Sequence, residues 1–231
     1  MRIWDLHPGY LNRQSLLGEH RELHGLVNIV TQGKKGYVKH PETLRWVGLG
    51  WALKQRHALL AAEMALRGYE DKSPVRTRSS KGEWPSTFID SPLEQIHILR
   101  EKYRDKELGR IPLPSNAQQF WSHHKYSVMA RDPNLYQSIG RRVAGKGPDA
   151  DFAEIAIVIT QVLRTPPSNG GVMNALQHMW GYVSDMPDKN PAEFYQLTPK
   201  RFLREIQKRA IESNQPYLRH STALSELALF A

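Results

Sequence analysis

Met1-Arg2-Ile3-Trp4-Asp5-Leu6-His7-Pro8-Gly9-Tyr10 opens the chain, and Leu16-Leu17-Gly18-Glu19-His20-Arg21-Glu22-Leu23 follows on what reads as its first helix. A terminus is usually frayed, yet the apolar residues Ile3, Trp4 and Leu6 come at once here. The pattern predicts a terminus tied down on a core. A fixed α-amine is a chemical tool, because such amines titrate at about 7.7–8.0 and keep a neutral fraction near physiological pH. The helix is expected to start near Ser15, to carry Leu16, Leu23, Val27 and Val30 on one face, and to stop at Gly33. Glu19, Arg21 and Glu22 cannot all point into that face. Charges on a helix are most often a solvated stripe with i,i+3 pairing, so their charge alone assigns them no chemistry.

Beyond this helix, Lys34-Lys35-Gly36-Tyr37-Val38-Lys39-His40 is a basic loop with an aromatic inside it. It suits phosphate contact, and it equally suits an ordinary exposed turn. Pro41 stands at a favourable first-turn position. A helix or a broken pair of helices is expected over 42–66, closing at Gly68, with Gly48 and Gly50 marking close packing or a kink. Lys54, Arg56 and His57 read as a polar patch there, and Leu53, Leu60 and Met64 as core. Residues 71–92 turn to Ser, Pro, Lys and Arg, the composition of a mobile basic loop. A third helix is expected over 93–106, and 109–114, with two prolines, reads as a connector.

The second half repeats the helical spacing, with Phe152, Ile155, Ile159 and Val162 as one example, and strand-like alternation is absent. Expected spans are 116–130, 133–145, 150–164, 171–184 and 198–213, with a short helix near 222–229. Thr165-Pro166-Pro167-Ser168-Asn169-Gly170-Gly171 is the clearest turn. The expected fold is therefore all-α, with two helical domains, 1–108 and 115–231, joined near residue 110.

Composition narrows the partners. A length of 231 residues with 40% hydrophobic content is enough for one large or two small cores. A net charge of +9 favours a polyanion, nucleic acid first. The chain has no cysteine, which excludes a disulfide frame, a thiolate zinc site and a cysteine nucleophile. It has no apolar run of the roughly 18–20 residues that a membrane span needs, and no signal-peptide pattern. A soluble cytoplasmic, nucleoid-associated protein without membrane contact is expected. No compact metal-ligand spacing is read. His123, His124 and His178 come nearest, and packing is the commoner fate of such residues, so neither metal nor cofactor is expected.

Met1-Arg2-Ile3 followed by Arg21-Glu22-Leu23 resembles the pyrimidine-dimer DNA glycosylase family, the phage-type endonuclease V. Trp4-x-Leu6-His7-Pro8-x-Tyr10-Leu11 is similar to its bacterial members. The likeness continues in order through Gly36-Tyr37, His40-Pro41, Arg56, Leu60, Glu63 and Arg67-Gly68-Tyr69. The family's phage form uses a threonine amine exposed by methionine removal. Here Met1 holds that place, and Arg2 is too large a second residue for removal. A further arginine of the family falls on Gly25, and a histidine on Ser15.

In the second half, His124-Lys125-Tyr126, Gly140-Arg141-x-Val143-Ala144, Asn174-Ala175-Leu176-Gln177-His178-Met179-x-Gly181-Tyr182 and Pro216-Tyr217-Leu218 resemble an uncharacterised bacterial helical domain. That domain occurs fused to a thiouracil desulfidase module or encoded beside DNA photolyase. Trp121 stands where it usually has a histidine.

The first resemblance implies a metal-independent glycosylase with abasic-site lyase activity on damaged double-stranded DNA. The Met1 amine would attack the sugar C1′ and Glu22 would steady the positive charge and move protons. Arg2 and Arg21 would clamp phosphates, with Lys34, Lys35, Lys54 and Arg56 as further DNA contacts. Such enzymes kink the duplex and flip out a nucleotide. Lys125, Arg142, Asn174, His178 and Tyr182 form a candidate site in the second domain, although residues of these types also cap helices. Competing readings are a non-catalytic nucleic-acid-binding protein and an enzyme acting on thiolated RNA bases.

Overall fold

The computed structural model describes residues 1–33, 36–145, 147, 152–184 and 196–231. The fold is all-α, with no strand among the described residues. The chain divides into two compact helical units, Met1–Gly109 and Arg110–Ala231.

In the first unit, Asn12 caps α1 (Arg13–Gln32) by accepting the Ser15 N–H at 2.9 Å, and Gly33 ends it in the left-handed conformation. Leu16, Leu23 and Leu26 are its buried apolar residues, facing α3 (Gly50–Leu66), whose Leu53, Leu60 and Met64 are buried. Val27 and Val30 are only half-buried, so Leu26 takes the core position expected of them. Between α2 (Pro41–Leu44) and α3 the chain breaks at Gly48, whose φ of 81° a residue with a Cβ rarely adopts.

Leu49 gives α3 no side-chain cap. The 71–92 segment supplies one instead. The Ser79 carbonyl accepts the Trp51 N–H at 2.8 Å, and Ser79 Oγ accepts the Gly50 N–H at 3.0 Å. Thr77 Oγ1 donates to the Gly50 carbonyl at 2.6 Å. A Cβ on residue 50 would stand 2.6 Å from Ser79 Oγ, which is why glycine sits there. The loop read as mobile is pinned at these two residues. Next, α4 (Pro92–Lys102) begins with a reciprocal Ser91–Glu94 capping box and ends at Lys102, four residues before its expected limit, with Tyr103 as its C-cap.

In the second unit α5 (Ala117–Met129) packs against α6 (Pro133–Ala144), α7 (Ala153–Leu163) and α8 (Asn169–Trp180), and α8 packs against α9 (Pro199–Glu212). Short helices α10 (Pro216–Arg219) and α11 (Ala223–Glu226) close the chain over α5. There Thr222 N–H donates to the His123 carbonyl at 2.8 Å, and the Thr222 and Ser127 hydroxyls hydrogen-bond at 2.8 Å. The glycines of the expected 165–171 turn belong to the first turn of α8. A Cβ on Gly171 would lie 2.0 Å from the Ala130 carbonyl oxygen, so this helix start approaches the end of α5 as only glycine permits. No helix among the described residues is long and apolar enough to cross a membrane.

Candidate active site

The N-terminal segment forms no regular secondary structure before Pro8, so its backbone groups need partners from elsewhere. Side chains provide them. Arg2 N–H donates to Glu22 Oε2 at 2.6 Å, Trp4 N–H to Glu19 Oε1 at 3.2 Å, and Asp5 N–H to Gln95 Oε1 at 2.9 Å. Three arginines take the carbonyls: Arg45 that of Ile3 at 3.1 Å, Arg56 that of Leu6 at 2.7 Å, and Arg67 that of Leu11 at 2.8 Å. Each arginine is held in turn by a buried carboxylate, Glu42, Glu19 and Glu63 respectively. With Ile3, Trp4 and Leu6 buried beneath it, the terminus is fixed as the alternation predicted.

A cavity of about 270 Å³ opens beside this segment. Ser15, Gly18 and Glu22, one face of α1, form one wall, with Arg2, Trp4 and Lys102 around them. Glu22 is exposed, and the amide it accepts is the peptide bond next to the α-amine of Met1. The Arg2 guanidinium lies 4.5 Å over the Trp4 ring and pairs with Asp90. Burial lowers its pKa from the usual arginine range. Arg21 is exposed and donates Nε to the Leu17 carbonyl at 3.3 Å. Deeper in the wall, burial pushes the Glu19 carboxyl up, while the Arg56 guanidinium and the Trp4 N–H pull it down.

Of the basic residues expected at DNA, Lys54 is exposed on α3, and Lys34 and Lys35 lie outside the described residues. Arg56 is a correction. It is buried, and its guanidinium is committed to both oxygens of Glu19 and to the Leu6 carbonyl, so it anchors the terminus and offers nothing to a phosphate. His57, read with it as surface, is buried too.

The candidate set in the second unit is divided. Lys125 and Tyr182 come together, with the ammonium 4.4 Å from the Tyr217 ring centre, 4.6 Å from Tyr126 and 5.7 Å from Tyr182. Tyr182 and Tyr217 stack at 5.1 Å with 6° between their planes, both partly exposed. Burial and the hydrogen bond to Tyr182 push the Tyr126 phenol up. The same hydrogen bond, with Lys125 nearby, holds Tyr182 below its ordinary value. Arg142 instead pairs with Glu154, Asn174 is half-buried and His178 is exposed on α8. Trp121 packs on Tyr136 at 5.4 Å.

Sequence reasoning missed Lys102 and Asp90, which reach the cavity and Arg2 from far along the chain with no local signal. Tyr126 and Tyr217 stood in the quoted blocks, but nothing in their spacing shows that they share one ammonium.

Residues 1–77 match the family model of pyrimidine dimer DNA glycosylases, and residues 125–226 match that of a protein family of unknown function (DUF1722). No curated protein and no solved structure matches the chain.

Proposed function

We propose that the protein is a DNA glycosylase with abasic-site lyase activity, acting on damaged pyrimidines in duplex DNA through the α-amine of Met1. The observation that carries the reading is the 2.6 Å hydrogen bond from the Arg2 N–H to Glu22, which holds a carboxylate one residue from that amine at the mouth of a cavity. The match of residues 1–77 to the glycosylase family supports the same substrate class.

In this reading the neutral amine attacks C1′ of the flipped nucleotide, and the bond from C1′ to the base breaks. The base leaves with the electron pair of that bond and takes up a proton. The sugar ring then opens as the nitrogen lone pair forms the iminium, and O4′ is protonated. Loss of a C2′ proton forms the C2′–C3′ double bond and breaks the C3′–O bond, so the strand on the 3′ side leaves with a 5′ phosphate. Water finally frees Met1 from the imine. Glu22 opposes the positive charge on the sugar and carries the C2′ proton. Arg2, held against Trp4 and Asp90, and exposed Arg21, Lys54 and Lys102 supply phosphate contacts whose strength falls with salt.

The second unit serves as an accessory nucleic-acid-binding module. The stacked Tyr182–Tyr217 pair beside Lys125 supports this, since an exposed aromatic face takes a base of any sequence and an ammonium takes the adjoining phosphate.

Borohydride trapping tests the catalytic reading. The native, untagged protein is mixed with duplex DNA carrying one abasic site and reduced. A covalent adduct mapping to Met1 by peptide mass is expected. DNA binding without any adduct would leave a binding protein that has no amine chemistry.

A further inference from the structure

His20 and His24 are one turn apart on α1, His57 projects from α3, and Asp71 follows the end of α3 across Gly68. Their ligating atoms all lie within 4.8 Å of one another. His20 Nε2 is 3.2 Å from Asp71 Oδ1, and His57 Nε2 is 3.6 Å from Asp71 Oδ2. The three rings ring a common centre, with centroids 4.7, 4.9 and 5.1 Å apart.

Hydrogen bonding within the cluster does not account for this arrangement. His57 is 5% exposed, and its Nε2 is buried with no hydrogen-bond partner among the described residues. A buried polar nitrogen left unpaired is destabilising and calls for an explanation. Asp71 Oδ1 already accepts from the Ser73 N–H and hydroxyl, both at 3.0 Å, and Oδ2, the oxygen that faces His57 Nε2, stands 3.6 Å from it, beyond hydrogen-bond distance. A cation that accepts three nitrogen lone pairs and one carboxylate resolves the whole cluster at once.

We propose that His20, His24, His57 and Asp71 form a binding site for a divalent transition-metal ion of the zinc class. Three imidazoles and one carboxylate suit zinc, cobalt or nickel, whereas calcium and magnesium take oxygen ligands. In a tetrahedral site with bonds of about 2.0–2.1 Å, neighbouring ligand atoms are roughly 3.3 Å apart. The His20–Asp71 separation, 3.2 Å, is already close to that value, and with every pair within 4.8 Å no other pair has to close by more than about 1.5 Å. Ser73, which donates to Asp71 and lies 3.1 Å from His24 Nε2, orients the carboxylate from outside the ligand set.

The site is distinct from the proposed catalytic one. With about 100° per residue on a helix, Glu22 points roughly 160° away from both His20 and His24. The ion touches no reacting atom. It ties α1, which carries Glu22, to α3 and to the start of the 71–92 segment. His20-x-x-x-His24 places two histidines one helical turn apart, a spacing that the sequence reading passed over, and His57 and Asp71 complete the set only in three dimensions.

The test uses the untagged full chain, stripped with a chelator and then titrated with Zn2+ or Co2+. We expect one ion per chain by elemental analysis, the visible absorption of tetrahedral cobalt, and a rise in melting temperature on adding Zn2+. His24→Ala changes a half-buried position and leaves a folded chain, and it should lose both the stoichiometric ion and the thermal shift. Ser73→Ala should keep the ion with roughly 10–100-fold weaker affinity. A folded wild-type chain that takes up no stoichiometric Zn2+ or Co2+ overturns the proposal, as does equal uptake by His24→Ala.

Discussion

Arg56 closes on both oxygens of Glu19, at 2.7 and 2.8 Å, and donates its remaining arm to the Leu6 carbonyl at 2.7 Å. The pair is buried, and Glu19 also receives the Trp4 N–H. One ion pair thus ties α1, α3 and the N-terminal segment together. Removing one partner of a buried pair strands the other charge, at a cost of about 3–5 kcal/mol. Arg56→Met should lower unfolding stability in urea by that order, and a Glu19→Gln second change should recover part of it. An Arg56→Met chain as stable as wild type would show that the pair does not anchor the terminus.

Exposed cations behave differently. Arg21→Ala and Lys54→Ala should leave the urea midpoint where it is. Each should make the dependence of log affinity on log salt shallower by about 0.9 if its phosphate contact with duplex DNA is real. The unchanged slope of either variant removes that residue from the interface.

Glu22→Gln keeps the size of the side chain and an acceptor for the Arg2 N–H, but removes the charge. Rates of strand cleavage at an abasic site should fall by about 10²–10⁴. Duplex affinity should stay near wild type, because Glu22 faces the reacting sugar and holds no phosphate. Single-turnover kinetics beside an anisotropy titration separate the two. Cleavage at wild-type rate would return Glu22 to the solvated stripe of an ordinary helix.

How far the sequence could be read follows from where each signal resides. The end of α1 was legible because Gly33 marks it locally, whereas the cap at Asn12 starts that helix at Arg13, ahead of the expected Ser15, and the Ser91–Glu94 box starts α4 at Pro92, one residue before its expected start. Gly48 and Gly50 signalled close packing or a kink without deciding between them, and the structure has the break at Gly48 and the close approach at Gly50. Burial of charge was not legible. Glu19, Arg56 and Glu63 look like surface residues in one dimension, and only the demand of the unpaired N-terminal backbone draws them inside. The His20–His24–His57–Asp71 cluster escaped for the same reason, since its members come from three elements. In the second unit Lys125 and Tyr182 meet, whereas Arg142 finds Glu154, and nothing in their spacing distinguishes these outcomes.

Gly25 is exposed on α1, and a Cβ there meets nothing within 4 Å. The glycosylase family's additional arginine falls at this position. Gly25→Arg should therefore be accommodated without strain and should stabilise the helix by roughly 0.5–1 kcal/mol. It should also tighten duplex binding and steepen the salt dependence by about 0.9. A more stable chain with an unchanged slope would mean that this face of α1 does not meet the phosphate backbone.

His123 sets an acid limit in the second unit. Burial, with His220 and the Arg110 cation nearby, lowers its pKa to about 4. An unfolded histidine titrates near 6.5, so between those values the unfolded chain binds a proton that the folded unit refuses. Stability must then fall as the pH drops through about 6.5 and level off below about 4. The full loss is on the order of 3 kcal/mol, from about 2.5 pKa units at roughly 1.4 kcal/mol each. His220, also held low by burial, Arg110 and Arg219, acts in the same direction. His123→Asn should flatten the decline in urea midpoint between pH 7 and pH 4.5. An equally steep decline in that variant would assign the acid sensitivity to other groups.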